Sequence, residues 1–575
     1  MRYALRERPA KPESFSAFSD TLSALLLSRG VLTISDAEAF LSPDYDRHIH
    51  DPFLMRDMDR AVERLYKAVK SGERTVIFSD YDADGIPGAV VLHDAFKKIG
   101  YTNFENYIPH RHDEGFGLNL PAIEGFKERG ATLLITIDCG IGNLDEVAHA
   151  QKLGMDVIVT DHHMPLSHGA TGEAHETLPP AFAILNPKVE GCSYPEKMLC
   201  GSGVIFKLVQ AFLKRHGAEF GVNPGWEKWL LDMVGIATLS DMVPLTGENR
   251  TLAYYGLKVL KKTPRAGLSK LFEKLRVKRE HISEDDIGFT LTPRINAASR
   301  MGAPDAAFNL LSTEDEALAG AYADALEHVN NERKGTVASL VKEIRKALSE
   351  RNIEDKQVIV IGNPLWRPSL LGLVANTLAE EYGKPAFLWG RDGDNKIKGS
   401  ARSGGNASVL SIMQRAPEAF AHYGGHAASG GFEVADDAIH FLEEKLDKAA
   451  QGLAFAKDDA RELVDAHISL EDVSWNLYRE IEKLSPYGTG NPKPLFLIKG
   501  ALVDSVKSFG KEGNHTEISF RDLNGRKVTA IQFFAPKESL PKHVAPQALI
   551  DLVVHLEKST FKNYPELRLR IVDII

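Results

Sequence analysis

Cysteine is scarce in this chain: Cys139, Cys192 and Cys200 are the only three among 575 residues. So few exclude a disulfide framework and leave no thiolate set for a structural zinc site, and a reducing cytoplasm is the natural setting. Long hydrophobic runs are missing as well. None approaches the roughly 20 apolar residues of a membrane span, so no membrane anchoring is expected. The amino terminus, MRYALRERPAKPESF, lacks the apolar core of a signal peptide. Positive charge is not in excess either. The formal net charge of −10 has the wrong sign for a protein that simply coats nucleic acid. No long low-complexity tract and no internal repeat is visible.

What remains is an ordinary globular composition, 43% hydrophobic, with length for roughly two to four domains. Its charge is uneven. Residues 493–575 hold 13 Lys and Arg against 9 Asp and Glu, a surplus of +4 that leaves −14 for the rest. A second basic stretch, LKVLKKTPRAGLSKLFEKLRVKR from Leu257 to Arg279, reads first as a solvated helical face.

Four hydrophobic runs each stop at an aspartate: TVIFSD at Asp80, ATLLITID at Asp138, MDVIVTD at Asp161 and DMVGIATLSD at Asp241. Short apolar runs separated by helical stretches read as buried parallel strands. Ligands of open α/β sheets bind at the carboxyl ends of the strands. The pattern therefore gathers carboxylates at one sheet edge, where they repel unless protonated or neutralised by cations. The first run continues as Asp80-Tyr81-Asp82-Ala83-Asp84-Gly85, three alternate carboxylates and then a glycine that permits a tight turn. Capping of the following helix is the plainer alternative. A calcium loop of the EF-hand type is excluded, because Val91 stands where its glutamate belongs and a strand precedes. The third run continues as Asp161-His162-His163. Imidazole beside carboxylate suits manganese, iron or zinc, and an all-oxygen shell suits magnesium or calcium. Two metals about 3.5–4 Å apart would activate a water against a phosphodiester. Asp138-Cys139-Gly140 alone is a weak signal, and Cys139 reads as a packed bystander.

Along the chain, residues 1–70 look helical and 71–245 alternate strands with helices, the pattern of a parallel sheet. Residues 250–350 look helical. One long helix is expected from Glu314 to Glu350, capped by Ser312 or Thr313 and interrupted near Gly335. A second α/β unit begins near Lys356, with KQVIVIG and KPAFLWG as strands. HTEISFRDL, KVTAIQFF, ALIDLVVHLEK and LRLRIVDII, with a turn at Leu523-Asn524-Gly525, suggest a small β-barrel.

An ordered set of motifs covers nearly the whole chain: DYDADG (80–85), DCG (138–140), DHH (161–163), LSDMVPL with GENR (247–250), PRINAASRMG (293–302), GSARS (399–403), YGGHAASGG (423–431) and PYGTGNPKPLF (486–496). Together they resemble the DHH phosphoesterase superfamily and, within it, the RecJ family of single-strand DNA exonucleases. The resemblance implies an α/β fold: a parallel-sheet DHH domain with the N-terminal region (1–313), a long connecting helix (314–350), a smaller α/β DHH-associated domain (351–458) and a C-terminal OB-like β-barrel (459–575). It implies two Mn2+ or Mg2+ ions held by Asp80, Asp82, Asp84, Asp138, His162 and Asp241. Asp82, Asp84, Asp138, His162 and His163 are then the catalytic set, with His163 facing substrate or donating a proton. Asp161 ligates or orients its neighbours. Arg111, Arg294, Arg300, Ser400, Arg402, Gly424, Gly425 and His426 become candidates for gripping DNA at its 5′ end.

The implied activity is 5′→3′ removal of mononucleotides from single-stranded DNA in repair and recombination. A monomer is implied, with a single-strand-binding protein and a helicase as partners. The chain departs from the family in three places. Trp366-Arg367-Pro368-Ser369-Leu370-Leu371-Gly372 stands for Trp-His-x-Gly-Val-Ile-Gly, and Ser299 and Ser429 stand where glycine is commoner. Of Phe509, Phe520, Phe533, Phe534, Phe561 and Tyr564, most are expected in the barrel core and the rest on a base-stacking surface. Two rivals compete: a phosphoesterase for short oligonucleotides or cyclic dinucleotides, and a non-catalytic replication scaffold.

Overall fold

The computed structural model describes the chain except residues 1–2, 8–9, 169–174, 352, 394, 405–406, 436, 454–461, 511, 542 and 560–563. It divides into two compact units. One joins His50–Val243 with Tyr255–Asp459, and the other joins Met1–Ile49, Pro244–Tyr254 and Ala460–Ile575. The first 49 residues thus group with the C-terminal barrel and not, as expected, with the catalytic sheet. The expected boundary at 458/459 lies outside the described residues.

In the first unit, strands Arg74–Ser79, Phe104–Tyr107, Ala131–Ile137, Asp156–Thr160 and Ala183–Leu185 form an all-parallel sheet. Phe104–Tyr107 lies at one edge, followed by Arg74–Ser79, Ala131–Ile137, Asp156–Thr160 and Ala183–Leu185. The chain runs outward from Arg74–Ser79 to one side and returns on the other. The crevice at this reversal opens between the ends of Arg74–Ser79 and Ala131–Ile137, the place where such sheets bind ligands. Val76, Phe78, Leu134, Val157 and Val159 are buried in one cluster with Ile123, Phe126 and Val147 of two helices. Each such side chain contributes about 1.5–3 kcal/mol by leaving water, which fixes where the strands end.

The fourth aspartate-ending run is not a strand. Leu231–Ser240 is a helix buried on nearly all sides. Short apolar runs of this length do not tell the two apart. Its packing explains the outcome: Gly235 lies against Gly256, and a Cβ on Gly235 would sit 2.6 Å from the Gly256 Cα. The long helix spans Glu316–Ser349 without a break at Gly335. Asp315 caps it by accepting from Ala317 N and Leu318 N, while Ser312 and Thr313 end the helix before it. An exposed glycine costs a helix about 1 kcal/mol, too little to stop one this long.

The second α/β region is a mixed sheet in the order Phe420–Gly425, Ser429–Val434, Ile397–Arg402, Ala386–Arg391, Ile359–Gly362. Only the last two strands pair in parallel.

The other unit contains a closed barrel of Phe496–Phe509, His515–Arg521, Lys527–Gln532, Leu549–Ser559 and Glu566–Ile574. Four of these strands are legible in the sequence. The longest, Phe496–Phe509, is not, because register shifts at Ile498/Ala501 and Val503/Ser505 break its alternation. The expected aromatic core is overturned: of the five described aromatics only Phe520 is fully buried. Phe561 lies outside the described residues. Phe534 is 83% and Tyr564 62% exposed. His515 sits 5.1 Å from both Phe509 and Phe534, and Arg568 lies 5.3 Å over Phe533. Rings and cations thus meet on an open surface.

Two motifs prove architectural. Arg250 of GENR is buried against Phe40 and donates to the carbonyls of Phe40 and Leu484. Asn491 of the PYGTGN turn donates to the carbonyls of Leu484 and Pro486. Among the described residues no helix is long and apolar enough to cross a membrane.

Candidate metal centre and anion pocket

Three aspartates occupy equivalent places at the sheet edge. Each donates its backbone N–H one step beyond its strand: Asp80 to Ile137 O (3.0 Å), Asp138 to Thr160 O (2.9 Å) and Asp161 to Leu185 O (3.1 Å). The sheet ladder itself therefore aligns them. Asp84 starts helix Gly85–Lys98, and its carboxylate accepts from Gly201 N (2.6 Å) and Ser202 N (2.7 Å) at the start of helix Gly201–His216. That is the favoured place for an anion on a helix. Gly201 is required there, since a Cβ would lie 2.5 Å from the Asp138 Cβ. Asp82 Oδ1 accepts from Asp84 N and Gly85 N and shapes the loop. Asp241 follows the buried helix Leu231–Ser240 into the same space.

These side chains form overlapping groups: Asp80 with Asp82 and Asp138, Asp84 with His162 and Asp241, and Asp138 with His162 and His163. Within each group one ligand atom per residue lies within 4.8 Å of the others. Burial and then the charge of Asp82 push Asp80 well above the usual carboxylate range. Burial, then Asp84, Asp82 and Asp80, do the same to Asp138. Asp84 is raised to about 6 and Asp241 to about 8, each by burial first and neighbouring carboxylates second. Burial, helped by the nearby His163 charge, lowers His162 to about 3. Its Nε2 nevertheless points at carboxylate oxygens of Asp138 (3.2 Å), Asp241 (3.7 Å) and Asp84 (3.9 Å). A neutral imidazole makes no ion pair with them. Asp80 Oδ1 and Asp138 Oδ1 are buried without a hydrogen-bond donor among the described residues. Lone pairs converging this way, without protons between them, fit divalent cations with oxygen and nitrogen ligands.

Asp161 behaves differently. Burial alone would raise it, but hydrogen bonds from His163 Nδ1 (2.7 Å) and from the backbone of Ile141, His162 and His163 leave it below the usual range. Its oxygens are occupied by these donors, and it belongs to none of the ligand groups found among the described residues. Burial would lower His163; the bond and charge of Asp161 outweigh that and hold it at about 9. Its ring is half-exposed, with Phe116 edge-on at 5.7 Å.

The crowding has a thermodynamic consequence. Asp84 and Asp241 have folded-state pKa values of about 6 and 8, above the roughly 3.9 of an unfolded aspartate. Their contribution to stability is fully present below the unfolded value and is lost as pH rises through 6 and then 8. Chelator-treated protein will therefore melt progressively lower from pH 5 to pH 8.5, and excess Mn2+ will remove most of that slope. Melting curves with equal slopes in chelator and in Mn2+ would contradict this.

A second cluster carries the opposite charge. Arg111 lies 4.6 Å over the Tyr81 ring, Arg300 donates to Ser369 O (2.8 Å) and Arg402 to Ala401 O (2.8 Å). None of the three pairs with a carboxylate among the described residues. Burial and then the charges of Arg111 and Arg402 lower Arg300 to about 9. Three cations left uncompensated in one place make an anion site. Arg111 lines a cavity of about 740 Å³ with Tyr81, Phe116, Ser369, Tyr423 and Gly424, and Asp392 and Glu433 also stand in its wall.

Ser400 and Arg402 lie on strand Ile397–Arg402, paired with Gly431 and Ser429. Gly424, Gly425 and His426 are exposed at the end of strand Phe420–Gly425. Ser429 hydrogen-bonds His426 Nε2 at 2.8 Å. Arg294 is not brought to this surface. It is buried and held by Glu327 (2.6 Å) and Thr290 O. Cys139 is buried beneath the site, as expected.

Sequence reasoning missed Lys188, half-buried at the carboxyl end of strand Ala183–Leu185 and lowered by burial despite Asp241 and Asp161. It also missed Asn296, whose Oδ1 accepts from Ala83 N at 2.9 Å. A fifth strand end was a usable signal for the first; nothing local announced the second.

Three sequence profiles match: "DHH family, N-terminal domain" over residues 74–238, "DHHA1 domain" over 341–454 and "RecJ OB domain" over 464–573. The chain is 33% identical over 555 residues to the single-stranded-DNA-specific exonuclease RecJ of Bacillus subtilis strain 168, covering 96% of this chain and 67% of that protein. It is 29% identical to the protein of the same name from Haemophilus influenzae, over 91% of each chain. A crystal structure of RecJ with Mn2+ from Thermus thermophilus superposes with a TM-score of 0.80 at 26% identity, covering 100% of this chain and 79% of that one. The corresponding Mg2+ structure shares the fold, with a TM-score of 0.74 at 24% identity, covering 100% and 78%.

Proposed function

From the premise that the chain belongs to the RecJ family, we propose that its acidic centre and arginine pocket act together as a 5′→3′ exonuclease on single-stranded DNA. The chain is a metal-dependent, single-strand-specific exonuclease. What carries the polarity is the arginine cluster, which makes no ion pair among the described residues and whose Arg111 lines a cavity together with Tyr81 of the aspartate loop.

Mn2+ or Mg2+ is the cofactor. Asp80, Asp82 and Asp138 would hold one ion and Asp84, His162 and Asp241 another, Asp138 adjoining both groups. When bound, such cations supply an acidified water and charge that offsets the phosphate oxygens. Asp161 fixes the His163 ring through Nδ1, which leaves Nε2 to face the substrate. With a pKa near 9 that nitrogen keeps its proton at neutral pH, and it gives the proton to the departing 3′ oxygen. Arg111, Arg300 and Arg402 take the terminal phosphate, Arg402 and Arg300 as planar forks. Gly424 and Gly425 let a nucleotide approach the backbone, and Ser429 steadies His426 beside it.

Release of mononucleotides, a role in repair and recombination, a monomeric state and a cytoplasmic setting complete the proposal. A single-strand-binding protein and a helicase would supply its substrate. The open aromatic surface of the barrel favours long strands over dinucleotides.

The test is digestion of end-labelled DNA. With Mn2+, a 5′ label on single strands should appear at once in the shortest product, and a 3′ label should give progressively shortened strands. Duplex and chelator samples should stay intact. Equal cutting of duplex, or activity in chelator, would remove the proposal.

A further inference from the structure

Helix Thr292–Arg300 touches four separate parts of the catalytic unit through polar groups. Thr292 Oγ1 and Ser240 Oγ share a hydrogen bond of 2.5 Å, and Ser240 is the neighbour of Asp241. One turn on, Asn296 Oδ1 accepts from Ala83 N (2.9 Å), inside the loop that carries Asp82 and Asp84. Arg294 is pinned by Glu327 of the long helix. At the end, Arg300 Nη1 donates to Ser369 O (2.8 Å) while Ser369 Oγ donates to Arg300 O (2.9 Å). Two segments bearing metal-site carboxylates and the central arginine of the anion pocket are therefore tied to one nine-residue helix.

An α-helix rises 1.5 Å per residue and resists stretching, so Thr292 and Arg300 stay about 12 Å apart along its axis. We propose that this helix is a gauge: it sets the separation between the hydrolytic carboxylates and the phosphate-gripping arginines, and so the number of nucleotides released per cut. Asn296 and Ser369 act as its positioning residues. The proposal rests on the exonuclease function given above.

Ser369 is the informative member. Its hydroxyl alone returns a hydrogen bond to the Arg300 carbonyl, and alanine at this position would remove that bond without touching the backbone. Losing one neutral hydrogen bond costs about 1 kcal/mol of stability. A misplacement of about 1 Å at a reacting centre costs on the order of 100-fold in rate. Kinetics and product length should accordingly respond more than folding does.

The experiment uses the full chain with Mn2+ and single-stranded oligonucleotides bearing either a 5′ phosphate or a 5′ hydroxyl. Wild type should give one product length. Ser369→Ala should give mixed lengths and lose on the order of 10-fold of its preference for the phosphorylated end, mostly through KM. Ser369→Thr, which keeps the hydroxyl, should restore a single length. Asn296→Ala should lower kcat on the order of 10-fold or more with KM little changed. Thermal melts will confirm that each variant folds. Unchanged product length and end preference in Ser369→Ala, with active wild type, overturn the gauge alone. A wild type inactive on single strands takes down the function and the gauge together.

Discussion

Asp138→Asn will fold normally and lose single-strand hydrolysis by on the order of 1,000-fold or more. Asp138 sits with φ +62°, a left-handed conformation that asparagine adopts nearly as readily as aspartate. Alanine would add backbone strain, so asparagine isolates the charge. The carboxylate belongs to two of the three ligand groups, and its Oδ1 is buried with no donor. Removing its charge leaves Asp80 and Asp82 without their third partner and leaves His162 facing an amide. Stability should move the other way. Without metal, burial and then the charges of Asp84, Asp82 and Asp80 disfavour the ionised form of Asp138, so Asp138→Asn should melt higher than wild type in chelator. Mn2+ should then raise the melting temperature of wild type more than that of the variant. Turnover within a few-fold of wild type would dismiss the assignment, and so would identical Mn2+ stabilisation of both proteins.

Arg402→Ala will erase most of the discrimination between phosphorylated and unphosphorylated 5′ ends, a loss on the order of 10- to 100-fold on the phosphorylated substrate alone. Arg402 has no carboxylate partner among the described residues and is lowered by burial and then by Arg111. Its removal therefore costs no ion pair, and the effect falls on ligand binding. Arg402→Lys should recover little, because an ammonium cannot present two parallel donors to a phosphate. Assays on matched oligonucleotides decide it. Equal losses on both kinds of end would place Arg402 outside the phosphate site.

The convergence of carboxylates in the candidate metal centre was largely legible because three of them mark the ends of unmistakable strands. TVIFS, ATLLITI and MDVIVT are apolar runs that stop abruptly, and in a parallel sheet the stopping points line up. Asp241 was legible as a candidate ligand but not as an element, since a buried helix and a buried strand can share one apolar run. The anion pocket was half legible. Arg111, Arg300 and Arg402 stood out only through motifs, and nothing in the sequence separated them from Arg294, which the fold spends on Glu327. The barrel was found from its alternation, yet its longest strand was lost to bulges, and its aromatics turned outward where a core was expected.

The sequence by itself determined most of the local features: three of the strands of the catalytic sheet and four of the barrel, where carboxylates and imidazoles sit at their ends, and the order of motifs that marks the family. Those depend on periodicity and spacing within a few residues. Only the tertiary structure decided which charges are answered and which are not. Arg250 is answered by carbonyls, Arg294 by Glu327 and Asp161 by His163, while among the described residues Asp80 Oδ1 and Asp138 Oδ1 have no donor and the arginine pocket has no ion pair. Compensation is settled by neighbours up to hundreds of residues away along the chain, and a buried charge without a partner is tolerated where a cation or a phosphate will supply one.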